Sequence, residues 1–187
     1  MNTVEAVKTR DQITAIEATL KAKHGQLYAD VWKFGLNTAM RITDLLEMKF
    51  TGIDIERRTY TLKEGKTNKP RTITLNNTAM NIITRRREEQ PGDVYLFQSH
   101  SPRLPRKAIQ PISRVSVSRV FKKVGDDLKL KVGTHSMRKS RGFAMFEAGK
   151  PIEHISKVLN HSSTGVTLRY IGIEADDIAK SYDEFEL

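Results

Sequence analysis

The segment THSMRKSRGFAMFEAGKPIEHISKVLNHSSTGVTLRY, residues 134–170, decides how this chain folds. Apolar residues recur in it at helical spacing, and Gly149-Lys150-Pro151 interrupts the pattern. Three successive helices are therefore predicted, over 135–147, 152–159 and 164–170. Histidines, arginines and a tyrosine follow one another within the same segment, so fold and chemistry are expected to arise together.

Helical periodicity extends to both sides of this segment. It predicts further helices over residues 9–23, 28–36, 41–48, 79–89, 113–128 and 174–182. Thr9 or Asp11 is the expected N-cap of the first of these, and Asn76 precedes the fourth. The fifth is expected to begin at Ser113 or Ser116.

A change of period marks a small sheet between the third and fourth of these helices. Residues 59–62 and 71–75 are two β-rich runs around a turn that contains Gly65, Asn68 and Pro70, which predicts a hairpin. The fold class is therefore mainly α with a small antiparallel β-sheet (α+β). A length of 187 residues suits one domain, residues 1–187.

Composition narrows the class of partner. The net charge is +10, and basic residues crowd the stretch from Ser101 to Arg141, which favours a polyanion such as nucleic acid. The alternative to a nucleic-acid partner is that these basic residues only form a surface exposed to solvent. The chain has no cysteine, which excludes disulfides, thiolate nucleophiles and Cys-based zinc sites, and no H-E-x-x-H pair suggests a metal. No apolar run reaches the roughly 20 residues of a membrane span, and the start lacks an apolar signal region, so a cytoplasmic protein is expected.

Five short segments carry a more specific pattern. They are AMRITD (39–44), GKTNKPR (65–71), THSMR (134–138), LNHSS (159–163) and TLRY (167–170). In this order and spacing they resemble the tyrosine site-specific recombinases, the phage-integrase family, from about Thr9 to Tyr182. The resemblance implies the DNA breaking-rejoining catalytic-domain fold and site-specific DNA recombination or integration, as in a bacterial or phage mobile element. It implies no metal, ATP or other cofactor.

Phosphodiester chemistry explains these residue types. Two guanidinium groups can bind the non-bridging oxygens and neutralise developing charge, and the resemblance gives that role to Arg41 and Arg138. It implies that Tyr170 is the nucleophile, which becomes linked to the 3′ phosphate of DNA. The cations around it are expected to favour the phenolate. Tyr182 is a competing nucleophile, but it lacks the spacing and lies in an acidic segment.

The resemblance assigns the remaining catalytic roles. Lys66 would protonate the leaving 5′ oxygen, with Lys69 as its rival, and His135 would act as a general acid or base. His161 would donate a hydrogen bond to a phosphate oxygen, and Asp44 would orient His135 or an arginine. Asn160 stands where the family often has glycine, which is expected to alter the local turn. The residues expected to contact DNA are Lys69, Arg71, Arg114, Arg119, Lys122, Lys139 and Arg141.

Partners and domain limits follow from the same resemblance. Double-stranded DNA is the expected partner, with self-association as a tetramer on DNA and accessory DNA-bending proteins. Only residues 1–8 precede the first predicted helix, so the family's N-terminal core-binding domain is expected to be absent. The chain would be an excised catalytic domain or a naturally short recombinase similar to the small fimbrial-switch invertases. Residues 171–187 are expected to dock on a neighbouring protomer or, equally, to fold back on their own domain.

Two other functions use overlapping residue sets. A type IB topoisomerase relaxes supercoils with a similar set of Arg, Lys, His and Tyr, and the LNHSS segment favours a recombinase over it. A non-catalytic DNA-binding regulator could place a helix-turn-helix-like unit at 149–161. Such a protein would not need a tyrosine at the position of Tyr170.

Overall fold

The structure is a computed structural model and describes residues 4–63, 70–102, 105 and 109–172. Within these residues the chain is mainly helical, with one small sheet. The helices are α1 (Arg10–His24), α2 (Gln26–Thr38), α3 (Ile42–Leu46), α4 (Asn77–Glu89), α5 (Arg114–Asp127), α6 (Ser136–Glu147), α7 (Ile152–Leu159) and α8 (Thr164–Ile171). The strands are β1 (Ile53–Asp54), β2 (Thr59–Lys63) and β3 (Pro70–Thr74), and a short 3-10 turn spans Phe50–Gly52. The predicted fold class is confirmed.

The sheet is antiparallel throughout, in the order β1-β2-β3. Tyr60 is the central partner, because it pairs with Ile53 on β1 and with Ile73 on β3. The predicted hairpin is therefore present, while the two-residue β1 was not predicted from the sequence. Gly65 and Asn68 of the predicted turn lie outside the described residues.

Polar caps fix where several helices begin. The side chains of Thr9, Asn76, Ser113 and Ser163 each accept a hydrogen bond from a backbone N–H three residues further on. Each bond satisfies a donor that has no partner within its own helix. Of the two N-cap candidates for α1, Thr9 is the one observed. Of the two candidate starts for α5, Ser113 is the observed N-cap.

Helix α3 is shorter than predicted. It ends at Leu46 rather than near residue 48, because the chain beyond it pairs with a distant segment. The backbone N–H of Leu96 donates to the Met48 carbonyl at 2.8 Å, and the N–H of Phe50 donates to the Val94 carbonyl at 3.1 Å. These non-local bonds replace the helical bonds that would have continued α3.

The core surrounds α2, which packs against α1, α4 and α6. Trp32 meets Phe121 of α5 edge to face with ring centroids 5.5 Å apart, and Phe34 meets Phe97 in the same way. All four rings are fully buried. Aromatic side chains of this size dominate the apolar area that a domain buries.

One close approach joins α2 to α6. A Cβ atom at Gly35 would lie 2.2 Å from the sulfur of Met137, a buried residue of α6. Only glycine allows the two helices to approach this closely. The contact sets the position of α6 and therefore of Arg138, the next residue along the chain.

A buried ionic cluster links α2 to α4. The carboxylate of Asp30 is 2% exposed and lies 2.5 Å from Arg85 and 3.4 Å from Arg86. The Arg86 Nε also donates to the Leu96 carbonyl at 2.6 Å.

None of the helices in the described part of the chain could span a membrane.

Replacing Asp30 by alanine is expected to lower the free energy of unfolding by about 3 kcal/mol, because it leaves the buried Arg86 without its carboxylate. Urea denaturation followed by circular dichroism measures this change. Asp126→Ala is the matched control, since Asp126 is exposed on α5, and we expect a change within about 0.5 kcal/mol. Equal effects of the two substitutions would contradict the structural role of the cluster.

Candidate active site

The carboxyl end of α7 collects three arginines. The backbone carbonyls of its last two residues and of its C-cap residue each accept a hydrogen bond from an arginine. Each of these arginines lies in a different part of the fold. The pairs are Arg71 with Val158 at 2.6 Å, Arg138 with Leu159 at 2.5 Å and Arg41 with Asn160 at 3.4 Å. Carbonyls at a helix end lack helical partners and carry the negative end of the helix dipole. This terminus therefore holds three cations from distant parts of the chain close together.

Two residues in the left-handed conformation shape the loops around these arginines. Asn160 ends α7 with a φ of 48°, and Ala39 ends α2 with a φ of 51°. Asparagine is among the few residues other than glycine that adopt this conformation readily. Asn160 therefore suits this turn, which a glycine would also accept.

Arg138 is the most deeply placed of the three arginines. Its side chain is buried, and it donates to the carbonyls of Ala39 and Leu159. Burial lowers the pKa of the Arg138 guanidinium from its ordinary value, and the positive charge of Arg41 acts in the same direction. An arginine side chain nevertheless stays charged in proteins, so the site keeps its full cation.

Tyr170 reaches this cluster from α8 of the same chain. Its hydroxyl lies 3.2 Å from Nδ1 of His135, and Nζ of Lys139 lies 5.4 Å from its ring centroid. Burial raises the pKa of the Tyr170 phenol, while the nearby Arg138 and Arg41 act against this rise. The expectation that the cations would favour the phenolate is thus outweighed by burial, and the phenol is protonated at neutral pH.

His135 lies directly before α6 and is exposed to solvent. Partial burial, followed by the charges of Arg138 and Arg114, lowers the pKa of His135 below its ordinary value. The imidazole is therefore neutral near pH 7. A neutral ring can accept a proton at Nδ1, the atom that faces Tyr170.

His161 follows the α7 terminus and packs edge-on against the Tyr170 ring, with centroids 4.7 Å apart. Burial and then the charges of Arg138 and Arg41 lower its pKa to about 4. Its Nδ1 lies 3.0 Å from the hydroxyl of Thr167. Thr167 was not predicted as a site residue, although its position three residues before Tyr170 places it one turn earlier in the same helix.

The other predicted site residues have varied positions. Lys66, Lys69 and Tyr182 lie outside the described residues. Arg71 is half-buried and donates to the Val158 carbonyl, and its predicted contact with DNA stays a prediction. Asp44 lies half-buried on α3, and its orienting role stays a prediction.

The basic residues predicted to contact DNA occupy two helices. Arg114, Arg119 and Lys122 are exposed on α5, whereas Lys139 and Arg141 are half-buried on α6. Arg114 lies close enough to His135 to influence its pKa. The amino-terminal end of α5 therefore lies near the cluster of Arg138, His135 and Tyr170.

In the described part of the chain, no group of three or more His, Asp or Glu side chains could hold a metal ion.

Comparison with known proteins agrees with this geometry. The model of the phage integrase family matches residues 7–176. Over 186 residues the chain is 29% identical to the probable integrase/recombinase YoeC of Bacillus subtilis (strain 168), covering 99% of this chain and 98% of YoeC. It spans about half the length of several other curated relatives.

Solved structures share the fold. The crystal structure of the XerA recombinase superposes with a TM-score of 0.73 at 15% identity, over 97% of this chain and 66% of XerA. The Tn1549 transposon integrase, in complex with a circular intermediate DNA, gives a TM-score of 0.71 at 18% identity over the same shares. With the family model covering nearly the whole length, the chain belongs to the phage integrase family, the tyrosine recombinases that break and rejoin DNA.

Proposed function

We propose that this chain cuts and rejoins DNA at specific sites through a covalent bond between Tyr170 and the 3′ phosphate. The observation that carries the proposal is the placement of the Tyr170 hydroxyl, 3.2 Å from a neutral His135 and beside the charges of Arg138 and Arg41. A nucleophile, a base and two phosphate-binding cations are thus within one cluster, as acyl- and phosphoryl-transfer sites require.

In the cleavage step the Tyr170 oxygen forms a bond to phosphorus, and the bond from phosphorus to the 5′ oxygen breaks. The phenol proton passes to Nδ1 of His135. The departing 5′ oxygen takes a proton, which we assign to Lys66. Rejoining is the reverse: the 5′ hydroxyl attacks the phosphotyrosine, and Tyr170 leaves with its proton restored, so the cycle needs neither metal nor ATP.

Arg41 and Arg138 bind the non-bridging oxygens in this scheme. Their bonds to the α7 carbonyls support the role, because the guanidinium groups are held in position before DNA arrives. Fixed donors and charges stabilise a transition state without the cost of reorganisation. His161 completes the set by donating a hydrogen bond to the same phosphate, and Asp44 orients the site from α3.

Binding of double-stranded DNA is assigned to the basic helices beside the site. The exposed Arg114, Arg119 and Lys122 of α5 suit the phosphate backbone, as do Lys139 and Arg141 of α6. The Tn1549 integrase, which shares this fold, is described in complex with DNA, and this supports the assignment. Lys69 of the hairpin turn joins the same surface in our proposal.

The assembly that recombines two DNA sites is a further part of the proposal. We assign residues 1–187 to a catalytic domain that forms a tetramer on DNA. Residues 171–187 would dock either on a neighbouring protomer or on their own domain, and accessory DNA-bending proteins would assist some reactions. Relaxation of supercoiled DNA at dispersed sites by a monomer would point instead to a type IB topoisomerase. Binding without cleavage would point to a regulator.

Covalent trapping tests the nucleophile. Incubation with a pooled library of nicked duplexes, followed by denaturation and mass spectrometry, is expected to yield a DNA adduct on Tyr170. The Tyr170→Phe variant should give none, because it lacks the attacking oxygen, whereas the control Tyr95→Phe should match the wild type. An adduct that persists in Tyr170→Phe would refute the assignment.

Mixing variants tests whether each protomer supplies its own nucleophile. Tyr170 and Arg138 of one chain lie in the same cluster, so Tyr170→Phe and Arg138→Ala proteins are expected to remain inactive when combined on a trapped substrate. The measurement is the yield of covalent adduct in the mixture relative to each variant alone. Recovery of a substantial fraction of wild-type yield would mean that the tyrosine acts in trans.

Salt dependence tests the proposed phosphate contacts of α5. Arg119→Ala is expected to reduce the slope of log affinity against log salt by about 0.9, the release expected for one duplex phosphate. The control Lys33→Ala should leave the slope nearly unchanged, because the Lys33 ammonium on α2 is paired with the Glu17 carboxylate at 2.8 Å. Fluorescence anisotropy with a labelled duplex at several salt concentrations measures both. An equal loss of slope in the two variants would contradict the assignment of Arg119 to the DNA surface.

A further inference from the structure

We propose that Arg71 is a third cation at the reacting phosphate and binds it together with Arg41 and Arg138. The inference rests on the proposed function, in which Tyr170 attacks that phosphate. The sequence motif placed Arg71 only among several basic residues expected to contact DNA. Its contacts in the fold indicate a more specific role, in which it stabilises the transition state of cleavage.

Arg71 bonds to the carboxyl end of α7 in the same way as the two arginines already assigned to the phosphate. Its Nη2 donates to the Val158 carbonyl at 2.6 Å. The carbonyls of the next two residues along the chain accept from Arg138 at 2.5 Å and from Arg41 at 3.4 Å. Three consecutive carbonyls therefore hold three guanidinium groups side by side, and one of them comes from the hairpin strand β3.

The charge of Arg71 reaches both of the buried groups around the nucleophile. Burial lowers the pKa of Arg138 and of His161, and the positive charge of Arg71 acts in the same direction on each. A charge has such an effect only from close by. Arg71 therefore lies near an arginine and a histidine that are both assigned to the phosphate oxygens.

A bond to a carbonyl does not prevent a guanidinium from binding phosphate as well. Its N–H donors form a planar fork that matches the oxygens of a phosphate, and they point in several directions. Arg41 and Arg138 combine both kinds of bond in the proposed mechanism. The half-buried position of Arg71 also suits the role, because a partly buried charge is screened less than an exposed one.

A further cation has a definite use in phosphoryl transfer. Negative charge on the equatorial oxygens opposes the approach of the phenol, and fixed cations beside these oxygens offset it. The guanidinium of Arg71 is held by β3 and by the α7 carbonyl before DNA arrives. Its charge is therefore available in the transition state without the cost of reorganisation.

The competing role for Arg71 is purely structural, as a tie between β3 and α7. That role needs a hydrogen-bond donor at this position but no positive charge. Arg71→Gln keeps a donor and removes the charge, whereas Arg71→Lys keeps the charge. The two substitutions therefore separate the catalytic role from the structural one.

Chemical rescue with a neutral phosphate tests the catalytic role. Single-turnover cleavage by the full chain is measured on the duplex recovered by covalent trapping, with a phosphodiester or a methylphosphonate of either configuration at the scissile position. A methyl group there replaces one non-bridging oxygen and removes the charge. Arg71→Gln is expected to cleave the phosphodiester about a hundredfold more slowly than the wild type. It should lose much less on the methylphosphonate, and Arg71→Lys should retain more of the rate than Arg71→Gln.

Arg57→Gln is the matched control, because it removes the same charge from the exposed turn between β1 and β2. Its rate should match that of the wild type on each substrate. An equal loss of rate by Arg71→Gln on the phosphodiester and on both methylphosphonates would overturn the proposal and identify Arg71 as a structural tie. An unchanged rate on the phosphodiester would overturn it too.

Titration with inorganic phosphate tests the same site without cleavage. The Nε–H signals of Arg71 and Arg138, each identified by its loss in the lysine variant, are followed by NMR as phosphate is added. We expect both signals of the wild type to shift with one common affinity. In Arg71→Gln the affinity reported by Arg138 should fall about tenfold, the effect of one charge-assisted hydrogen bond. Arg57→Gln should bind phosphate as the wild type does.

The titration also separates failure of the inference from failure of the proposed function. An Arg71 signal that does not respond to phosphate, or an unchanged affinity in Arg71→Gln, would overturn the inference. If Arg71→Gln does not fold, as judged by its urea midpoint, the response of Arg71 in the wild type still decides the question. Absence of cleavage by the wild type would refute the proposed function and leave the phosphate titration valid.

Discussion

The carboxyl end of α7 is the constraint on which the rest of the site depends. Three like charges brought together by β3, α6 and the loop before α3 would repel one another, and the carbonyls of this helix terminus offset that repulsion. The arrangement satisfies backbone groups that would otherwise lack partners. A single feature therefore closes the helix, joins the hairpin strand to the helical core and prepares a site for an anion.

The acid–base properties of the site follow from burial as much as from charge. Tyr170 keeps its proton because its burial outweighs the nearby arginines, while both histidines lose theirs because burial and charge act in the same direction. The result is a protonated phenol beside a neutral imidazole.

The sequence predicted the structural features that depend on residues close together in the chain. Helix periods, the cap at Asn76 and the hairpin pairing of Tyr60 are local, and the structure contains them. What it could not predict depends on residues far apart in the chain. The early end of α3 requires the segment at residues 94–96, and the Arg71 bond crosses 87 residues to reach Val158. The ordered motif named Arg41, Arg138 and Tyr170, which the structure places in one cluster, but it did not predict their hydrogen-bond partners.

The tight contact between Gly35 and Met137 has a consequence for cooperativity. Because the buried Met137 side chain of α6 lies directly against the backbone of α2 at Gly35, α6 cannot separate from α2 without opening the main core. Sub-global opening should therefore bypass this helix, and its amides should exchange only through whole-domain unfolding. The Arg138 cation, carried on this helix, should therefore keep its buried position up to the melting transition.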